Sequence, residues 1–103
     1  MHVADVGRAF IELLLSDVTG AVNVASGDCR PIREVVTMIG ALTGAPHLAR
    51  LGALPPRPGD APRLAASIRR LRDEVGFRPT YDLATGLADT VAWWQHHSRT
   101  NHP

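Results

Sequence analysis

The sequence predicts a small α/β domain in which helix dominates, with about four helices and two or three short strands. Three observations predict it. Four stretches carry apolar residues at the spacing of one helix face. Strand-like runs are few and short. The 103 residues suffice for one small domain and not for two, so residues 1–103 are read as a single unit.

The elements follow in chain order. His2-Val3 reads as the end of a short strand, with the His2 ring either packed or exposed. Asp5 opens a helix to about Ser16, where a carboxylate suits the positive helix start. Val6, Phe10, Leu13 and Leu14 form its expected inward face. Ala21-Val22-Asn23-Val24-Ala25 reads as a short strand that leaves through Ser26-Gly27-Asp28. Such a strand needs a neighbour for its ladder bonds, and no second strong strand lies nearby. Its sheet partners are therefore expected in sequence outside this chain.

A second helix is expected over residues 31–43, with Pro31 in the first turn and Gly44 as its stop. Ile32, Val35, Val36 and Ile39 give its apolar face. Gly40 and Gly44 do not mark a membrane dimer, because their flanks are too short and polar. Residues 45–61 are rich in Pro and Gly and hold at most a short strand near 47–51. A third helix is expected over residues 67–75, capped by Ser67 and ended by Gly76, with Ile68, Leu71 and Val75 inward. Asp82 caps a last helix over residues 83–97, with Leu83, Leu87, Val91 and Trp94 buried and Trp93 at the border. Residues 96–103 read as a polar tail containing His96, His97 and His102.

Composition removes several function classes. Formal net charge is +1 and apolar content is 45%, which points neither to disorder nor to a nucleic-acid footprint. Arg69, Arg70 and Arg72 could form a basic patch. Asp73 and Glu74 dilute it and no aromatic residue interleaves, so it reads as a solvated face. No apolar run approaches the roughly 20 residues that span a bilayer. Met1-His2-Val3-Ala4-Asp5 lacks the basic-then-apolar order of a signal peptide. The single Cys29 closes no internal disulfide, which favours a reducing cytoplasm. Cys29 reads as a turn residue, with a reactive thiol as the alternative. Adjacent His96 and His97 face different directions on a helix, so no metal site is expected.

All 11 Lys-plus-Arg positions are Arg. Schiff-base chemistry, a P-loop lysine and a Tyr-x-x-x-Lys proton relay are thereby closed to this chain. The only tyrosine, Tyr81, has Thr85 four residues on. No two glycines stand two apart, so the dinucleotide phosphate cradle is missing as well.

The chemistry that remains centres on Arg57-Pro58-Gly59-Asp60. An Arg fork grips phosphate in a bidentate way, and a carboxylate accepts hydrogen bonds from a diol. The same four residues also suit an ordinary polar turn.

The order of motifs adds to this. His2-Val3-Ala4-Asp5-Val6 is followed by Asn23-Val24-Ala25-Ser26-Gly27 and Ile32-Arg33-Glu34-Val35. Then come Arg57-Pro58-Gly59-Asp60, the stretch from Leu71 to Pro79, and Leu83 through Gly86-Leu87 to Thr90-Val91-Ala92-Trp93-Trp94. Over about residues 1–95 this resembles the C-terminal third of an extended short-chain dehydrogenase/reductase, and more narrowly the NAD-dependent epimerase/dehydratase family acting on nucleotide sugars. The resemblance implies a small, mostly helical lobe that closes over a nucleoside diphosphate sugar, the Rossmann core being absent. It assigns Arg57 to the diphosphate and Asp60 to the ribose hydroxyls. It implies NAD(P) in the parent family, none bound by this chain alone, and no catalytic residue here. A Rossmann-domain chain or a second copy would be the protein partner, with neither nucleic acid nor membrane involved. It also implies that residues 21–25 would join the Rossmann sheet. The alternative is an interaction or oligomerisation module derived from such a lobe. Two positions depart from the family pattern. Ser67 stands where an acidic residue is frequent. Pro31 stands where Ser or Thr is common, which removes a cap bond worth about 1 kcal/mol.

Overall fold

The computed structural model describes residues 1–100 and is mostly helical. His102 and the end of the expected tail lie outside the described residues. The chain divides into two compact units, one of Met1–Cys29 with Arg63–Leu83, the other of Arg30–Pro62 with the chain from Ala84.

The first unit is built on helix α1, Val3–Leu14. His2 is not in a strand. It is the N-cap, and its Nδ1 accepts the Ala4 N–H at 3.0 Å. Its ring stacks on Tyr81, with centroids 3.9 Å apart. Asp5 sits in the first turn as expected, but its main work is tertiary. The side chain is buried, at 1% exposure. Its two oxygens accept the N–H groups of Thr80 at 3.0 Å and Tyr81 at 2.9 Å. Arg8 donates to the same carboxylate at 3.2 Å, and also to Glu12, to the Arg78 carbonyl at 2.6 Å and to the Thr80 hydroxyl at 2.9 Å. The Arg8 guanidinium lies 4.5 Å from the Phe77 ring centre. Burial pushes the Asp5 carboxyl up, but the two backbone N–H groups and Arg8 outweigh it and hold the pKa below the usual carboxylate range.

The core of this unit is Ala9, Leu71 and Phe77, with Val22, Val24 and Val75 packed against it. The inward face of α1 therefore differs from expectation. Ala9 is fully buried, whereas Phe10 and Leu14 are 59% and 83% exposed. The covered side of α1 is the one that carries Asp5 and Ala9, next to Arg8 and Glu12, while much of the apolar arc is exposed, so periodicity alone does not identify the covered face.

No strand forms among the described residues. Residues 21–25 run without a ladder and are held by side chains instead. Arg70 donates to the carbonyls of Thr19 at 2.8 Å and Ala21 at 2.9 Å, and Asn23 Nδ2 donates to the Ser67 carbonyl at 3.3 Å. With no neighbouring strand to complete backbone pairing, the segment is held by residues far along the chain, Ser67 and Arg70.

The expected third helix is shorter and wider, a π-helical turn over Arg70–Val75. Its N-cap is Arg69, without a side-chain bond, and Ser67 does not cap it. Gly76, in the left-handed region at φ +80°, sends its N–H back to the Leu71 carbonyl, and Phe77 does the same at 3.0 Å. This wide closure seats Leu71 and Phe77 together in the core. The arginines of this turn all meet acids. Arg70 pairs with Glu74 at 2.8 Å, Arg72 with Asp73 at 2.9 Å, and Arg69 with Glu74 at 3.6 Å. Arg70 is thus a structural staple and not part of an outer basic face.

The second unit holds α2, Ile32–Thr43, and α3, Leu83–Thr100. Pro31 is the N-cap of α2 and makes no side-chain cap bond, as the missing Ser or Thr requires. Gly44 ends the helix at φ +71°, and the Ala45 N–H returns to the Gly40 carbonyl at 3.0 Å. Gly40 is buried because the next element comes close. A Cβ there would lie 3.1 Å from Pro46 Cα. That neighbour begins a 3-10 turn, Pro46–Leu48, where a strand was expected.

α3 runs to Thr100, so residues 96–100 continue the helix and do not form a separate tail. Leu83, Leu87 and Val91 are half-buried, but Trp94 is 61% exposed and Trp93 51%. The tryptophans are not core anchors in the described chain. Trp93 instead stacks on His97 at 3.8 Å, and His97 Nδ1 meets the Trp93 carbonyl at 2.8 Å.

Candidate functional site

Arg57 and Asp60 lie in the second unit, in the exposed stretch that follows the Pro46–Leu48 turn. The chain between them is a turn. The Asp60 N–H donates to the Arg57 carbonyl at 3.2 Å, and Gly59 takes φ +88°. Only Gly adopts that angle without strain. The Pro58 ring fixes its own φ, one position before Gly59. The turn therefore holds Arg57 and Asp60 at its two ends, where Cα atoms of positions i and i+3 lie within about 7 Å. Both residues are exposed. A guanidinium and a carboxylate displayed from the two ends of one stiff turn can meet an anionic group and a hydroxylated group of one ligand.

Tyr81 is engaged with the His2 ring. Cys29 is exposed, with its Sγ 3.9 Å from the Leu64 carbonyl. Among the described residues no group of three His, Cys, Asp or Glu stands together as a metal site. No helix of the described residues is long and apolar enough to cross a membrane.

The structure also contains a feature that sequence reasoning did not find. A groove of about 640 Å³ lies between α2 and α3, with Ile39, Val91, Trp94 and Arg99 among its lining. The sequence carries no separate signal for it, since Trp94 reads there as a buried helix position, whereas it is 61% exposed.

Comparison with known proteins gives consistent relatives. The chain is 35% identical over 99 residues to a dTDP-4-dehydro-6-deoxy-D-allose reductase of Streptomyces bikiniensis, covering 96% of the chain and 29% of that protein. It is 34% identical over 97 residues to a UDP-glucose 4-epimerase of Corynebacterium glutamicum, covering 90% of the chain and 29% of the relative. It is 33% identical over 98 residues to a dTDP-glucose 4,6-dehydratase of Streptomyces griseus, covering 94% and 30%. The chain thus spans less than a third of the length of these curated relatives. No family model matches it, and no solved structure gives a significant match.

Proposed function

Because the chain is homologous to the C-terminal part of the NAD-dependent epimerase/dehydratase family, we propose that it supplies the nucleotide-sugar-binding portion of such a protein. Arg57 takes the diphosphate and Asp60 the ribose hydroxyls. The observation that carries this reading is the preset turn, with its 3.2 Å Asp60-to-Arg57 backbone bond and both side chains exposed. Relatives named for dTDP- and UDP-sugars agree with a nucleoside diphosphate ligand. NAD(P) belongs to the parent family, and the residues present do not fit it. The chain has neither the glycine cradle nor a lysine, so hydride transfer needs groups from elsewhere, such as a Rossmann domain. The lone Cys29 suits a reducing, cytoplasmic setting.

Calorimetric titration tests the assignment of Asp60. UDP offers two ribose hydroxyls and dTDP one. Asp60→Ala is expected to weaken UDP binding by about three- to tenfold and dTDP binding by less. Equal loss for both would restrict Asp60 to the shared 3′-hydroxyl, and no loss for either would remove it from the ribose. The same chain given NAD and UDP-glucose should show no turnover, and turnover would refute a purely binding role.

A second reading, an interaction module, is favoured by one observation. Val3, Phe10, Ile11, Leu14 and Leu15 of α1 and its C-cap are between 59% and 83% exposed. They form an apolar stripe of the kind that marks a contact surface. A Rossmann-domain chain or a second copy would cover it. Sedimentation across micromolar concentrations should show self-association under the second-copy version, and a strict monomer would rule that version out.

A further inference from the structure

The groove between α2 and α3 lies within the second unit alone, since its lining comes from Ile39, Thr43 and residues 87–99. Its volume of about 640 Å³ falls in the range of small-molecule sites, roughly 300–1,000 Å³. The floor is apolar, with Ile39 from α2 and Leu87, Val91 and Trp94 from successive turns of α3. Thr43 and Thr90 line it too, but their hydroxyls already donate to the Ile39 carbonyl at 2.9 Å and the Gly86 carbonyl at 2.8 Å. They contribute methyl surface. The polar lining is Gln95, Ser98 and Arg99, all on the last turns of α3. The groove therefore grades along the helix from apolar at Leu87 to polar and cationic at Arg99. Among the described residues Arg99 is its only charged lining residue, and no carboxylate of theirs lines it.

We propose that this groove binds a small amphipathic organic anion, with an aryl or alkyl body against Val91 and Trp94 and a carboxylate or sulfonate on Arg99. The charge balance selects this class. A cation meets only like charge, whereas an acidic head gains a guanidinium. The exposed face of Trp94 gives the body an aromatic surface to cover. The site is distinct from the Arg57–Asp60 turn, neither residue of which lines it.

Two fluorescent probes with nearly the same body test the proposal. One is 1-anilinonaphthalene-8-sulfonate, the other the uncharged N-phenyl-1-naphthylamine. Both are titrated into the chain while far-UV dichroism monitors the fold. Arg99→Gln should weaken the sulfonate by about three- to tenfold and leave the amine unchanged. Val91→Phe, which fills the floor, should weaken both. Should Val91→Phe disturb the fold, Ser98→Trp narrows the groove from its rim and serves the same purpose. Unchanged sulfonate affinity in Arg99→Gln would overturn the proposal. So would wild-type binding in the filled variant that keeps its dichroism, or no saturable sulfonate binding by the wild-type chain below about 1 mM.

Discussion

Asp5 holds together two pieces of chain that are far apart in sequence, the start of α1 and residues 80–81. Its carboxylate takes two backbone N–H groups from residues 80 and 81 and one guanidinium from Arg8. Removing it leaves two part-buried backbone N–H groups without their acceptor, one of the ways a single substitution destabilises a small domain. Asp5→Ala is expected to lower the melting temperature by about 10 °C, measured by calorimetry. The pH dependence follows from the lowered pKa. A carboxyl whose folded pKa lies below its unfolded value stabilises the fold above the unfolded pKa, about 4. That contribution fades as pH falls from there through the folded value. Wild type should therefore lose stability below about pH 4 more steeply than Asp5→Ala. Parallel curves would show that the carboxylate is not the acid-sensitive clamp. The sequence marks Asp5 as a first-turn acid and says nothing about residues 80 and 81. The partners are 75 residues away, beyond any local pattern.

Elements show the same division between local signals and distant ones. The stops at Gly44 and Gly76 were legible, because a left-handed residue after an apolar run has a local steric cause. The lost cap at Pro31 was legible for a similar reason. Residues 21–25 form no strand among the described residues, because a ladder depends on a partner and composition does not supply one. The covered face of α1 differs from expectation, since Asp5 and Ala9 face the core while Phe10 and Leu14 are exposed. Two leucines make the point testable. Leu71, 2% exposed in the core, should cost about 2–4 kcal/mol on Leu71→Ala. Leu14, 83% exposed, should change stability by no more than about 0.5 kcal/mol on Leu14→Ala. Urea unfolding midpoints of the two variants separate these outcomes, and equal losses would contradict the core described above.

At the scale of the molecule, the chain resembles part of a larger machine. It matches less than a third of its relatives' length and lacks the lysine and glycine pattern of hydride-transfer chemistry. What it does carry is a stiff exposed turn with one cation and one anion, plus an apolar stripe on α1. The turn was readable from four residues, since Pro and Gly act locally. The groove beside Trp94 was not, because its lining comes from two helices far apart in sequence. The most direct measurement compares UDP with uridine on the wild-type chain and on Arg57→Ala by calorimetric titration. If Arg57 grips the diphosphate, the variant loses about tenfold or more in UDP affinity and keeps its uridine affinity. Matching UDP isotherms for the two proteins would contradict the account.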